Sequence, residues 1–328
     1  MKITRRTTAP PNLWWQRCGI LIAFVFVWKI PAAFAQDNSF VQLHDGSKES
    51  ASAVEIIPGT DQLLVGHVGG TVAIWSLTKR QQLGVWEFHT QAITKIAVAP
   101  DGKQAAITSA DASITVVDTA SGTALRRLTM SGSALSISFS PDGSKLLASS
   151  NVGELILWDS SRGKRIKSFD GIDCSIYSAA FVHDGKQMLV ASEHDPVSLW
   201  DMDSAEVVRT FGDPYVYTAV EVAPDGQAFL ATGSDRVTLW ETKTGRRIHD
   251  IDIEGSLGIP ARFHPDGSAA IVFDQKSGGR LLDLESFKPR IQFPLSGMQS
   301  VAIDPIHKML AVGKENGSVF LLRLQTKN

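Results

Sequence analysis

Cysteine is almost absent. The 328 residues hold two, too few for a disulfide framework or a Cys-rich metal or iron–sulfur site. Cationic excess is missing as well. Lys plus Arg is 32 against 34 Asp plus Glu, a formal net charge of −2. Nothing there would neutralise a phosphate backbone, so nucleic acid is not an expected partner. A membrane-spanning helix needs ~20 apolar residues, and the uninterrupted apolar run at 18–28 has 11. The sequence has no Cys-x-x-Cys-His, no Gly-rich phosphate loop after a strand and no Gly-x-Ser-x-Gly elbow. The eight His never stand at His-x-x-x-His spacing. No catalytic residue, metal ligand or cofactor is therefore expected.

The first 35 residues carry an address. Lys2, Arg5, Arg6 and Arg17 precede the apolar run without an acid, and Ala33-Phe34-Ala35 follows it. That order is a secretory signal peptide over 1–35, with cleavage after Ala35 and a mature start at Gln36. The competing reading is a retained membrane anchor, which Lys29 and Pro31 cut short. Cleavage removes five cations (those four and Lys29) and no acids, leaving 27 basic against 34 acidic residues, net −7. The expected location is periplasmic or secreted, with no stable membrane span after cleavage. Only Cys174 then remains, and it is expected to be buried and inert rather than a reactive thiol.

What the sequence has in quantity is repetition. One turn recurs as Ile57-Pro58-Gly59, Ala99-Pro100-Asp101-Gly102, Ser140-Pro141-Asp142-Gly143, Val182-His183-Asp184-Gly185, Ala223-Pro224-Asp225-Gly226, His264-Pro265-Asp266-Gly267 and Asp304-Pro305-Ile306. Its steps from 58 to 305 are 42, 41, 42, 41, 41 and 40 residues. A second column keeps pace: Trp75, Val117, Trp158, Trp200, Trp240, Leu282 and Leu322. Period-two apolar patterning around Pro-Asp-Gly punctuation reads as strand, tight turn, strand. Four antiparallel strands every ~41 residues make one propeller blade. The Asp series recurs because Asp-Gly suits a turn, not because it is catalytic. His183 and His264 are read as turn residues.

Leu157-Trp158-Asp159 and Leu199-Trp200-Asp201 are similar to the residues that name the WD-repeat (WD40) β-propeller family. The resemblance covers about 39–328 and has the look of an exported, bacterial-type member with degenerate repeats. The family's Gly-His pair survives only loosely at Phe88-His89, and the Trp is lost in units 2, 6 and 7. The resemblance implies one all-β domain over 36–328: a seven-bladed propeller of four-stranded antiparallel blades. The seventh unit holds three strands before the sequence stops, so residues 39–44 are expected to pair with 318–323 and complete it. Tyr177 is expected to pack inside its blade, in phase with Phe181.

With no catalytic constellation, the expected function is a non-catalytic protein–protein interaction scaffold, a monomer with an unknown protein partner. A propeller enzyme of hydrolase or lactonase type and an accessory subunit of an envelope electron-transfer complex are the alternatives. On the family's layout the loops entering each blade share a face with the loops between its second and third strands. Two such loop sets on blades 4 and 5 are aromatic and charged. They carry Glu193, His194, Tyr215, Tyr217, Asp235 and Arg236, among which exposed Tyr and Arg are typical interface anchors, and are the candidate protein-binding site. Three residues before the turn Pro, most units carry Ala or Ser. Glu55, Glu221 and Arg262 interrupt that column, and Glu221 and Arg262 are expected to pair near the propeller axis.

Overall fold

The computed structural model describes residues 41–43, 49–182, 184–254, 261–275, 277–295, 297–304 and 308–324. Residues 1–35, read above as a signal peptide, residues 39, 40 and 44, His183 and the turn at Pro305 lie outside them. The described residues form seven four-stranded antiparallel sheets, the blades of a seven-bladed β-propeller. Blade 1 spans 51–87, blade 2 93–129, blade 3 134–169, blade 4 176–211, blade 5 217–252 and blade 6 262–293. Blade 7 combines 298–323 with the strand Val41–Leu43. The first strand of each of blades 1–7 contacts the first strand of the next, and blade 7 contacts blade 1, so the ring is closed around an axis.

The repeated turn sets the geometry. In five blades the turn Asp accepts a backbone N–H two residues on: Lys103 to Asp101 at 3.0 Å, Ser144 to Asp142 at 2.9 Å, Lys186 to Asp184 at 2.9 Å, Gln227 to Asp225 at 2.9 Å and Ser268 to Asp266 at 2.8 Å. The next residue is Gly with φ between 69° and 73° in these five turns, a conformation that costs Gly nothing. The Asp after the Trp column does a second local job. Asp118, Asp159, Asp201 and Asp283 each accept a backbone N–H three residues on, at 2.7–2.8 Å, at the turn into the outer strand.

Burial follows position in the blade. Second and third strands are nearly all buried, as in Lys145–Ser150 and Ser113–Asp118, because neighbouring blades cover both faces. Outer strands such as Gln81–Glu87 are mostly exposed. The core is accordingly seven seams, each holding side chains from two adjacent blades. In the blade 4–5 seam Phe211 meets Phe229 edge-on at 4.7 Å and Trp240 at 5.9 Å, geometry favoured by the ring quadrupoles.

Val41–Leu43 pairs antiparallel with Val319–Arg323 in the register Val41–Leu321, Gln42–Phe320, Leu43–Val319. Gln42 Nε2 adds a 2.8 Å bond to Ser318 Oγ. Leu43 is buried with Val319 and Leu321 in the blade 7–1 seam. The last blade thus takes its outer strand from the start of the domain, which covers an edge that would otherwise template aggregation.

The inner strands depart from simple alternation. Each of blades 1–5 and 7 carries a register shift near the start of its inner strand. The extra residue of such a bulge is left unpaired and re-aimed. Ser52, Thr94, Leu135, Tyr177, Thr218 and Gln299 hold these positions, and all line the upper end of the axial channel. The expectation that Tyr177 packs inside its blade in phase with Phe181 is therefore corrected: Phe181 is buried in the core, while Tyr177 lines the bore. Hydroxyls near the same level stitch blade to blade. Ser52 Oγ donates to Ile93 O at 2.6 Å, Thr94 Oγ1 to Ala134 O at 2.5 Å, Ser149 Oγ to Ile176 O at 2.9 Å and Ser300 Oγ to Ala51 O at 2.9 Å.

Candidate functional site

The loop into blade 5 is built on a buried aromatic base. Phe211 is 1% exposed, and Gly212 at φ 73° turns the chain outward through Asp213 and Pro214. Tyr217 is 5% exposed and belongs to the blade 4–5 seam with Phe211 and Trp240. It was expected in the loop's binding set, but its ring is a floor rather than a surface. Burial raises its hydroxyl above the ordinary phenol range, against the nearby Arg236 and Arg247 charges.

Tyr215 stands on that floor, half-buried, with its ring edge-on to Tyr217 at 5.2 Å. Its hydroxyl lies 2.8 Å from Ser234 Oγ and donates to Asp235 Oδ1. Arg236 Nε donates to the same Asp235 oxygen at 3.0 Å, and its guanidinium lies 5.1 Å from the centre of the Tyr215 ring. Bonds from Arg236 and Tyr215 hold the Asp235 carboxyl below the usual carboxylate range. Gly233 is required beneath: a Cβ there would sit 2.2 Å from Tyr215 Cε1. The structure thus brings together Tyr215, Tyr217, Asp235 and Arg236, and adds Ser234 and Gly233. Arg236 and Asp235 keep 37% and 61% of their side-chain exposure.

Glu193 and His194 lie outside that cluster. His194 is exposed. Glu193 faces the channel mouth instead: burial and the neighbouring Glu193 carboxylate push the Tyr177 hydroxyl upward. Next to them Asp195 accepts from Ser192 Oγ at 3.1 Å and from the half-buried Cys174 Sγ at 3.7 Å.

Below this rim the channel holds four charges. Arg262 Nη1 donates to Glu221 Oε2 at 2.8 Å, and Arg262 Nη2 lies 3.5 Å from Glu55 Oε2. The expected Glu221–Arg262 pair is present, and Glu55 joins it across blade 7. Water reaches the group along the bore, since Arg262, Glu221 and Glu55 keep 18%, 26% and 27% of their side-chain exposure. Burial raises the Glu55 carboxyl, with Arg262 and Lys95 opposing. Lys95, from blade 2, completes the quartet. Burial, then the Arg262 charge, pushes its ammonium down to about 8. Lys95 was missed in the sequence because it stands five residues before the turn Pro, not three. Its signal was there: the equivalent residues in blades 1, 3, 4, 5 and 7 are Ala53, Ser136, Ser178, Ala219 and Ser300.

Blade 2 also holds a buried polar network. His89 Nδ1 lies 3.1 Å from Asp111 Oδ2 and 3.2 Å from Ser113 Oγ, and Arg127 Nη2 lies 3.3 Å from the same carboxylate. Val117 occupies the column where blades 1, 3, 4 and 5 carry Trp. Of those four Trp residues, Trp200 donates to Ser198 Oγ at 2.7 Å, while the indole N–H groups of Trp75, Trp158 and Trp240 have no partner among the described residues. No group of three or more His, Cys, Asp or Glu among the described residues could hold a metal ion.

Comparison with known proteins agrees with this geometry at one repeat. Residues 80–118, from the outer strand of blade 1 to the third strand of blade 2, match the family described as WD domain, G-beta repeat. The matched stretch contains the His89, Asp111 and Ser113 network. The chain is also similar to the U3 small nucleolar RNA-associated protein 21 homolog of Schizosaccharomyces pombe, 30% identical over 151 residues. That alignment takes in 44% of this chain and 16% of the relative's length. The chain is a seven-bladed β-propeller in which residues 80–118 are similar to a WD40 repeat.

Proposed function

We propose that this chain is a non-catalytic protein-interaction scaffold of the WD-repeat type, exported to the periplasm or beyond, whose partner docks over blades 4 and 5. The observation that carries the reading is the Tyr215–Asp235–Arg236 cluster. A half-buried aromatic ring is held from below by Tyr217, from the side by Ser234 and Asp235, and from above by a guanidinium. Such a group loses little rotamer freedom on binding, and Tyr and Arg are the side chains that dominate interface energetics. Rigid scaffolds commonly act through loops placed in this way.

The surrounding charge supports a basic protein partner. Asp170, Asp173, Asp195 and Asp213 are exposed in the loops of this face around blades 4 and 5. The RNA in the relative's name belongs to that protein; an acidic rim favours a protein over a polyanion here.

The test is co-purification from the cell envelope with tagged wild type and with a Tyr215→Ala, Arg236→Ala double variant. The proposal requires a protein that accompanies the wild type, is lost with the variant, and is lost without a change in the variant's melting temperature. Equal recovery with both would remove the site. An intact mass beginning at Gln36 would support export, and a membrane-bound species retaining residues 1–35 would replace it with an anchor.

A further inference from the structure

Two cavities meet the charged quartet from opposite ends of the channel. The upper one, about 110 Å³, is lined by the bulge residues, among them the hydroxyl-bearing Ser52, Thr94, Tyr177 and Thr218. The second, about 260 Å³, lies on the face of the Pro-Asp-Gly turns, and its walls include Val98, Pro100, Phe139, Pro141 and Phe181. Lys95 and Arg262 line both.

The pairing within the quartet is uneven. Glu221 and Glu55 both engage Arg262. The Lys95 ammonium makes no hydrogen bond or ion pair among the described residues, although Glu221, Glu55 and Arg262 all act on it electrostatically. Arg262 Nε is buried and also lacks a hydrogen-bond partner. A buried donor such as Arg262 Nε is normally matched, because an unmade bond away from water carries the whole desolvation penalty, whereas the half-buried Lys95 side chain borders the cavity. Here the Lys95 ammonium, without an acceptor, lines a cavity whose wall is mostly apolar.

We propose that the turn-face cavity binds a small monocarboxylate with an apolar body. Its carboxylate would accept from the Lys95 ammonium beside the Arg262 guanidinium, and its body would pack against Phe139 and Phe181. A single negative charge is favoured because Glu55 lines the same cavity and would repel a dianion. An apolar body is favoured because most of the wall is apolar, the usual make-up of a ligand pocket with a few polar groups fixing orientation. The site lies at the opposite end of the channel from the docking rim, so it stands or falls independently of the scaffold reading.

Calorimetric titration of the full chain at neutral pH decides it, with hexanoate and benzoate as probes. Hexan-1-ol serves as the uncharged counterpart and inorganic phosphate as an anion of higher mean charge without an apolar body. The expected result is saturable single-site binding of a carboxylate, with hexan-1-ol and phosphate far weaker. Lys95→Met should weaken the carboxylate by at least about tenfold, and Arg236→Ala should leave it unchanged. A second measurement needs no variant to fold: the NMR signal of methylated Lys95 should shift on adding hexanoate and titrate at higher pH. Absence of saturable binding, equal binding of hexan-1-ol or phosphate, retained affinity in Lys95→Met, or an unmoved Lys95 signal would each overturn the proposal.

Discussion

Arg262 of blade 6 donates to Glu221 of blade 5 at 2.8 Å and, with another nitrogen, approaches Glu55 of blade 1 at 3.5 Å. One guanidinium therefore ties together blades that are not all neighbours. Replacing it by Met leaves two carboxylates facing each other inside the bore. Loss of one partner of a fully buried ion group costs about 3–5 kcal/mol; with water reaching these side chains the expected loss is about 1–3 kcal/mol. Chemical denaturation of Arg262→Met measures it. Adding Glu221→Gln should restore part of the stability, since it removes one of the stranded charges. An Arg262→Met chain as stable as wild type would show that the bore behaves as bulk solvent.

Lys95 has the opposite sign. Its ammonium is pushed down to about 8 by burial and by Arg262, against ~10.4 in an unfolded chain. Between those pH values the unfolded chain binds the extra proton, so stability rises with pH there. Below pH 8 the penalty is at its full value. Lys95→Met should therefore stabilise the protein at pH 7, by roughly 1–3 kcal/mol after allowing for channel water. The gain should shrink steadily as pH rises toward 10. Denaturation midpoints of both proteins across that range check the slope as well as the sign. A variant less stable than wild type at pH 7 would mean that Lys95 has a stabilising partner.

Much of this architecture was readable from residue type and spacing. The turn Pro, Asp and Gly repeat because a tight turn needs that chemistry, and the Trp column repeats because one deep seam position recurs in each blade. Glu221 and Arg262 were found because two charges interrupted a column of small residues. The failures have physical causes. A bulge adds one residue without any composition signal, so Tyr177, read as blade packing, lines the bore. Lys95 had another cause: it is paired with Thr108 just past the bulge and is in phase with Ala97, so it reaches the channel one alternation step outside the column that revealed the others. Tyr217 shows a second limit: two Tyr two residues apart in one loop end as a buried floor and a half-exposed ring, and that outcome depends on Phe211 and Trp240 across the seam.

Ring closure gives a third prediction. Val41–Leu43 supplies three pairs to Val319–Arg323 and buries Leu43 in the blade 7–1 seam. Deleting residues 36–45 removes that strand and bares the edge of 319–323, an exposed template for intermolecular pairing. The deletion should aggregate or melt well below the full chain by light scattering and thermal denaturation. A soluble deletion with an unchanged melting temperature would show that blade 7 is stable with three strands.

Gly233 offers a test of the rim that touches no charged group. A Cβ at this position would stand 2.2 Å from Tyr215 Cε1 and 3.1 Å from Cδ1, so Gly233→Ala must displace the Tyr215 ring. The backbone of Gly233 is not in the left-handed region, and the strand loses no bond on substitution, so global stability should change by less than about 1 kcal/mol. Displacing Tyr215 would break its bonds to Ser234 and Asp235 and take the ring from beneath Arg236. If the rim docks a partner through a preformed cluster, Gly233→Ala should weaken partner binding nearly as much as Tyr215→Ala, by ~2 kcal/mol or more for an anchor residue. The two effects should not add in the double variant, because both remove the same ring position. Binding by Gly233→Ala equal to wild type, with Tyr215 shown displaced by NMR, would assign the cluster to holding the blade 4–5 seam and move the docking surface elsewhere on the ring.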